Sequence, residues 1–347
     1  MILSLALRGA LLASLAVSLE AQPSSAPFVE VLHVDGRYVN DHALVRAAGS
    51  WHLFYTTGDS ARRPWLDRSS EVEIGHAVSD DLRDWQVMAP AVRVADLPGH
   101  ASGHIYAPAV VEHSGEYVMF FTANRLGYGS GEAIFTARSR DLLTWTIAST
   151  QPVLVPDPAW AAWHTPNDLP VSCRDPFVVR LDSTQWVMYY VARLRVDSTV
   201  DGGLERACVA AATSEDLVHW RDRGPVLTRA VRGRDRNRWA HPESPCVVRK
   251  EGRHYLFWKT GDGTRYVISN DPLDFEDAEE HVLATSHASK VVEHDGRWFV
   301  TSCSRDLDDL LHERSDRTRG LLLAELDWSG MLPRLLPIEV PPSASTR

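Results

Sequence analysis

A repeat that occurs five times along the chain is the feature that most restricts its fold. Each copy pairs a short strand-forming segment with an aromatic-rich one across a turn, as in APAVV (107–111) followed by YVMFF (117–121). The copies begin at Asp41, Ala107, Asp175, Glu243 and His287. Three of them also carry a later Ser-x-Asp-Leu-x-x-Trp segment, at 79–85, 139–145 and 214–220.

The spacing of the copies predicts units of four strands. Successive starts are 66, 68, 68 and 44 residues apart, and no segment shows sustained helical periodicity. Four-stranded units repeated radially form a β-propeller, and five lies within the usual range of blades. We therefore predict an all-β, five-bladed β-propeller of one domain over residues 22–330, followed by a Pro-rich tail at 331–347. The alternative is a β-sandwich built from ordinary hairpins.

The N-terminal segment resembles an export signal. Residues 10–19 form a short apolar run after Arg8, and small residues follow it up to Ala21. This pattern is typical of a secretory signal peptide, which we expect over residues 1–21 and which predicts a secreted or periplasmic protein. Arg8 interrupts the apolar stretch, so a membrane-spanning anchor is the weaker interpretation.

Charge and cysteine usage narrow the partners. Thirty-six basic residues against 46 acidic ones give a net charge of −10. That sign disfavours binding to a phosphate backbone, so we expect no nucleic acid partner. We also expect no membrane partner and a monomeric chain.

The spacing of the cysteines argues against a zinc site, because no CxxC occurs. We expect buried thiols, with disulfides as the alternative in an exported chain, at Cys173, Cys208, Cys246 and Cys303.

Three of the five repeat starts are carboxylic acids. Asp41, Asp175 and Glu243 precede apolar strand segments, where acids are poor strand formers and rarely lie buried unless paired. In a propeller the first strand of each blade lines the central channel, so these side chains are expected to converge at its mouth. Glu243 stands one residue further from its Val pair than the two aspartates do. A bulge or the longer reach of Glu must compensate for this offset.

Such a set of acids is what glycosidic bond hydrolysis requires. One protonated acid donates to the leaving oxygen, and an ionised carboxylate activates water or attacks the sugar. A third carboxylate can push the pKa of the acid upwards, since like charges separate the pKa values of neighbours. Phosphate loops, GxSxG elbows and HExxH helices do not occur in the sequence.

These residues resemble the five-bladed propeller glycoside hydrolases, the superfamily of families 43, 62, 32 and 68, and family 43 most closely. The resemblance rests on Asn40-Asp41, Arg174-Asp175-Pro176, Glu243-Ser244-Pro245 and the repeated Ser-x-Asp-Leu-x-x-Trp. It implies that Asp41 is the general base, that Asp175 tunes pKa and orients substrate, and that Glu243 is the general acid. It implies no required cofactor, but allows a structural calcium ion in the central channel with His287 as a partner residue.

Substrate contacts are expected on the blade-to-blade connections, which lie on the same face as the acids. The two longest, 147–172 and 221–242, contain Trp163 and Trp239, whose rings could pack on sugar faces. Arg174 and His42, beside two of the acids, complete the candidate binding set. We expect hydrolysis of plant-type α-L-arabinofuranosides or β-D-xylosides. The alternatives are a retaining, family-32-like β-fructosidase and a propeller that binds carbohydrate without cleaving it.

Overall fold

The structure is a computed structural model that describes residues 27–61, 70–97, 103–124, 131–162, 173–195, 205–231, 241–261, 263–303, 320–330 and 332–338. The predicted signal segment therefore lies outside the described residues. Within them the one helical element is a single 3-10 turn, Val94–Asp96. No helix in this part of the chain is long and apolar enough to cross a membrane.

The described residues form five antiparallel sheets that follow one another along the chain, as the repeat predicts. Blade I contains β2 (His42–Ala47), β3 (Ser50–Thr57), β4 (Glu73–Ser79), β5 (Gln86–Val87) and β6 (Val92–Arg93). Blade II contains β7 (Ile105–His113), β8 (Glu116–Ala123), β9 (Ala133–Ser139) and β10 (Thr146–Ile147). Blade III contains β11 (Cys173–Arg180), β12 (Trp186–Arg193), β13 (Glu205–Ser214) and β14 (Arg221–Val231).

Blade IV contains β15 (Glu243–Lys250), β16 (Arg253–Thr260), β17 (Gly263–Ser269) and β18 (His281–Ala284). Blade V contains β19 (Lys290–His294), β20 (Arg297–Ser302), β21 (Leu321–Asp327), β22 (Arg334–Leu336) and the first strand of the described chain, β1 (Val29–Leu32). The five-bladed β-propeller predicted from the repeat is thus confirmed.

The aromatic-rich second strands hold neighbouring blades together. Because side chains alternate across a strand, Phe120 packs toward blade III and Phe121 toward blade I. On the next blade, Tyr190 packs with the blade II side and Tyr189 with Trp258 of blade IV. A strand buried on both faces has no polar face to present. This burial explains why the second segment of each repeat is apolar throughout instead of alternating.

The Ser-x-Asp-Leu-x-x-Trp segments are turns that end the third strand of a blade. Oδ1 of Asp141 accepts hydrogen bonds from the backbone N–H groups of Leu143 at 2.9 Å and Thr144 at 2.8 Å. Leu142 has a positive φ of 62° and is buried, and its carbonyl accepts a hydrogen bond from Trp145 Nε1 at 3.1 Å. The segments around Asp81 and Asp216 have the same backbone geometry. The motif thus stabilises the blades and lies away from the acids.

The ring is closed by the start of the described chain, which the sequence did not predict. β1 pairs antiparallel with β21, with Val29 opposite Leu323, so blade V combines the two ends of the propeller. The predicted C-terminal tail also needs correction. Arg334–Leu336 pair with the other half of β21, and Ile338 is buried, because the tail carries apolar side chains that cover the blade V core.

All four cysteines are buried thiols without disulfides. Burial raises the pKa of Cys173, Cys208 and Cys246, most clearly that of Cys208 and of Cys173 in the blade III core. Thiols with raised pKa values are poor nucleophiles, so the cysteines fill the core and do not contribute reactive groups.

A buried histidine in blade I predicts acid-sensitive stability. His76 stacks on Phe54, and burial together with the neighbouring His52 lowers the pKa of His76 to about 4. The unfolded chain then binds more protons than the folded one below about pH 6.5, so stability falls as the pH drops from about 6.5 toward 4. Each such histidine lowers the free energy of unfolding by at most about 1.4 kcal/mol per pH unit in this range.

We expect the His76→Phe variant to have a shallower decline of unfolding free energy between pH 6.5 and 4 than the parent. Urea unfolding across this range measures it, with His219→Phe, an exposed histidine on a turn, as the matched control. Identical slopes for the parent and His76→Phe would contradict this interpretation.

Candidate active site

A repeated backbone bend starts the inner strand in four of the five blades. The residues at the bend have φ values between 50° and 54°, although none is glycine: Ala107, Asp175, Ser244 and Ala288. The same register shift follows the bend in β7, β11 and β15. A left-handed residue other than glycine is uncommon, so its recurrence marks a conserved geometry of these repeats.

The bend corrects the alignment of the acids. Ser244, not Glu243, is the counterpart of Asp175, and Glu243 and His287 lie one residue earlier, like Arg174. The sequence predicted that a bulge in blade IV could compensate for the one-residue offset of Glu243. The register shift in β15 also occurs in β11, so it is not special to blade IV and does not bring Glu243 into line with Asp175. Glu243 approaches the site from a different register position than the aspartates do.

Ser244 joins the two aspartates across three blades. Its hydroxyl donates to Oδ1 of Asp41 in blade I, and its backbone N–H donates to Oδ2 of Asp175 in blade III at 3.0 Å. The Asp175 N–H in turn donates to Oγ1 of Thr122 at 3.0 Å. Asp41 is half-buried and Asp175 is 5% exposed. The bends thus bring the two carboxylates together through a residue that sequence reasoning missed.

Glu243 is held by two cations. Nη2 of Arg174 donates to its Oε1 at 2.7 Å, and Nζ of Lys259 donates to its Oε2 at 2.6 Å. Burial alone would raise the pKa of Glu243, but the charges of Lys259 and then Arg174 outweigh it and hold that pKa well below its usual range. Lys259 lies opposite Glu243 in the sheet, with only 1% of its side chain exposed. Glu243 is therefore ionised in the free protein.

The opposite shift occurs at Asp175. Burial is the largest cause, the carboxylates of Asp41 and Glu243 add to it, and Arg174 partly offsets both, so that the pKa of Asp175 rises to about 7. Arg174 lies between the two acids, with Nε 3.9 Å from Oδ2 of Asp175. The resemblance implied that Glu243 holds the proton, whereas the electrostatics of the free protein place it on Asp175. Carboxyl groups this strongly coupled titrate as a set.

Further buried polar groups surround Glu243. Arg193, at the end of β12, donates through Nη2 to Nε2 of His241 at 2.9 Å. Burial, reinforced by Arg193 and Arg174, lowers the pKa of His241 to about 3, so its ring is neutral. Glu132, directly before β9 in blade II, is 1% exposed, and burial raises its pKa despite the nearby Arg174. The site is thus a network of charges, larger than the three acids expected from the sequence.

His42 is not placed to bind substrate. It is fully buried on β2, and its Nε2 lies 2.7 Å from Oγ1 of Thr301 in blade V. Burial, with Lys290 second, lowers the pKa of His42 to about 3. The residue after Asp41 points into the contact between blades, because neighbours on a strand face opposite sides. His42 therefore packs the first blade against the last.

The structure describes only part of the two long connections that were predicted to contact substrate. Trp163 and Trp239 lie outside the described residues. Much of the expected 221–242 connection is strand β14, which ends at Val231. Trp160, also on a long connection, is half-buried and donates through Nε1 to Asp222 at 3.0 Å, so it anchors its loop.

The described residues near His287 do not fit a calcium ion. Calcium is bound by several oxygen ligands, often carboxylates. Among the residues that the structure describes, no group of three or more His, Cys, Asp or Glu side chains is arranged to hold a metal. Two backbone carbonyls of this region, those of Ser244 and Pro245, instead accept hydrogen bonds from the Lys290 ammonium at 3.4 and 2.9 Å. We therefore assign no step to a metal.

Comparison with known proteins agrees with this architecture. Residues 33–201 match the model of the glycosyl hydrolases family 32 N-terminal domain, a range that includes Asp41 and Asp175. A thermostable family-43 glycoside hydrolase superposes with a TM-score of 0.64 at 16% identity, over 88% of this chain and 95% of that enzyme.

Two further structures share the fold. A GH43_1 enzyme from Xanthomonas citri, complexed with xylotriose, gives a TM-score of 0.63 at 16% identity, over 90% of this chain and 93% of that one. A family-32 β-fructofuranosidase of Bombyx mori gives 0.60 at 18% identity, over 88% of this chain and 65% of that enzyme. Its five blades and the match of residues 33–201 to the family-32 N-terminal domain make the chain similar to the five-bladed propeller glycoside hydrolases.

Proposed function

We propose that the protein hydrolyses glycosidic bonds with Asp41 as general base and Glu243 as general acid. The observation that carries this proposal is the meeting of three carboxylates from blades I, III and IV, with Ser244 joining two of them and Arg174 touching two. Such a set supplies both an ionised and a protonated carboxyl group, which the reaction requires. The match of residues 33–201 to the family-32 domain and the fold shared with a family-43 enzyme support the same activity.

The proton of the site belongs to the coupled set. In the free protein Asp175 carries it below about pH 7, while Lys259 and Arg174 keep Glu243 ionised. Donation by Glu243 then needs a proton shift toward it when a sugar occupies the site and weakens these cation contacts. Whether the proton lies on Asp175 or on Glu243, the active form of the site carries one proton. Asp175 acts as the proton reservoir, and Asp41 acts as the base that activates the attacking water.

The coupled acids should make kcat/KM fall, not rise, as the pH increases. Activity needs the site proton, so kcat/KM should decline as the pH rises through about 7, the raised pKa of Asp175. Replacing Lys259 with Met removes a cation that favours the ionised acids, so the pKa of the set should rise. We expect the alkaline limb of the kcat/KM profile to move to higher pH by about one unit or more.

The matched control is Lys250→Met. Lys250 ends β15, the inner strand that begins with Glu243, and it pairs with the exposed Glu251. That variant should keep the parent profile. A Lys259→Met profile that superposes on the parent, with the variant folded and active, would show that Lys259 does not set the protonation of the acids.

For the substrate, we propose α-L-arabinofuranosides or β-D-xylosides of plant polysaccharides. The family-43 neighbours, which include an enzyme seen with xylotriose, support this class. A β-fructoside is the second candidate, because residues 33–201 match the family-32 domain. Incubation with aryl arabinofuranosides, aryl xylosides, arabinan, xylan and inulin separates the two. Release of fructose from inulin alone would replace the first candidate by the second.

Export remains part of the proposal on the sequence pattern of residues 1–21. Expression of the full chain with its N-terminus, followed by mass determination of the secreted product, tests it. A shortened product in the medium or periplasm is expected. Retention of the uncut chain inside the cell would contradict export.

A further inference from the structure

A buried lysine spans the centre of the propeller. Lys290 begins the inner strand of blade V and is 8% exposed. Its ammonium donates to the carbonyls of Ser244 at 3.4 Å and Pro245 at 2.9 Å, both in blade IV. It also lies 5.5 Å from the ring centre of Phe177, in blade III. A side chain from blade V that reaches blade III must cross the region where the inner strands meet.

The surroundings of this ammonium are those of a bound cation. Among the described residues, Lys290 forms no salt bridge with a carboxylate, and its partners are carbonyl oxygens and an aromatic face. Carbonyl oxygens are ligands for hard metal ions, and an aromatic face attracts cations. The positive φ of Ser244 directs the chain so that two successive carbonyls face the same charge.

The same charge acts on blade I. The field of Lys290 contributes to the lowered pKa of His42, whose Nε2 contacts Thr301 of blade V, and Thr301 Oγ1 lies 3.4 Å from the Lys290 carbonyl oxygen. One ammonium thus interacts with blades I, III and IV from a base in blade V. A calcium ion placed against the same carbonyls would face a fixed positive charge at close range, which is unfavourable in a buried environment.

We infer that Lys290 is a built-in cation that takes the place of a metal ion at the propeller axis, so that the fold is stable without calcium. Removing the ammonium should leave a site for small organic cations, lined by the carbonyls of Ser244 and Pro245 and the face of Phe177. This inference concerns stability and does not depend on the proposed hydrolase activity.

Thermal unfolding tests the inference without any substrate. The Tm of the parent should be the same in excess EDTA and in millimolar calcium. The Lys290→Ala variant should have a lower Tm, because carbonyls in a buried cavity lose their donor. Propylammonium, which replaces the three methylenes and the ammonium that this variant lacks, should raise its Tm by about 2–4 °C at several times the Kd.

Three comparisons keep the test decisive. Propanol, which has a similar shape without the charge, should not rescue Lys290→Ala, and propylammonium should leave the Tm of Lys290→Met and of Lys250→Ala unchanged. A fall in the parent Tm on EDTA treatment would overturn the inference even if no variant folds. Equal effects of propanol and propylammonium on the Tm of Lys290→Ala would overturn the assignment of a cation site.

Discussion

Replacing Glu243 with Gln should lower kcat by about 10²- to 10⁴-fold on glycosides with poor leaving groups. Gln fills nearly the same volume, and its one side-chain oxygen can still accept a hydrogen bond from Arg174 or from Lys259, which bind different oxygens of Glu243. It cannot carry the proton to the departing oxygen. An aryl glycoside with an activated phenol needs little protonation. The loss on such a substrate should therefore be much smaller, and this contrast is diagnostic of a general acid.

Stability must be measured beside activity, because the substitution leaves a buried lysine with a neutral partner. Breaking a buried pair in this way costs about 3–5 kcal/mol when the remaining charge is fully uncompensated. Glu251→Gln, on an exposed turn, is the matched control and should retain full activity. If folded Glu243→Gln loses the same factor on good and poor leaving groups, Glu243 is not the acid.

The Asp41→Asn variant should lose activity on every substrate, whatever its leaving group, by about 10³-fold or more in kcat. Asp41 supplies the ionised carboxylate that activates water, and Asn cannot accept a proton. The hydrogen bond from the Ser244 hydroxyl can be kept by the Asn side-chain oxygen, so the site should keep its shape. Steady-state rates on the activated and the unactivated glycoside measure the effect.

Asp295→Asn provides the matched control, since Asp295 lies on an exposed turn of blade V. The two catalytic variants together assign the roles: a loss that depends on the leaving group for Glu243, and one independent of it for Asp41. Full activity of a folded Asp41→Asn variant would remove Asp41 from the mechanism. The reverse pattern of leaving-group dependence would exchange the two assignments.

The architecture could be predicted from the sequence because its signals are local and repeated. A strand buried on both faces is apolar throughout, as in 117–121, and the Asp-centred turns recur with fixed spacing. The closing strand β1 could not be predicted, since it pairs with β21 from the opposite end of the chain and carries no copy of the repeat. Pairing between distant segments leaves little local trace.

The sequence predicted that the three acids converge, but not the register in which Glu243 aligns with the aspartates. Alignment on the Val pairs treated Glu243 as the counterpart of Asp175, whereas the backbone bend puts Ser244 there. A backbone bend has no sequence signature when Ala, Asp and Ser all occupy it. The lysines were missed for another reason. Lys259 follows the apolar run 255–258, and a charge inside a buried strand is a signal that could have been used.

Protonation states depend on distances that the sequence does not contain. Arg174 was expected beside Asp175, yet its 2.7 Å contact is with Glu243 of the next blade. That contact and Lys259 reverse the expected order of pKa values in the free protein. A motif therefore predicted which groups meet, and only their geometry shows which of them holds the proton.

The most direct test of the central claim is proton NMR of the purified protein with the panel of arabinofuranosides, xylosides and fructans, beside Glu243→Gln. The account predicts that the parent releases sugar from at least one substrate, with a single anomer formed first, and that the folded variant does not release it from the unactivated glycoside. Binding of a glycoside by the folded parent, with no cleavage of any member of the panel, would contradict the account and favour a carbohydrate-binding propeller.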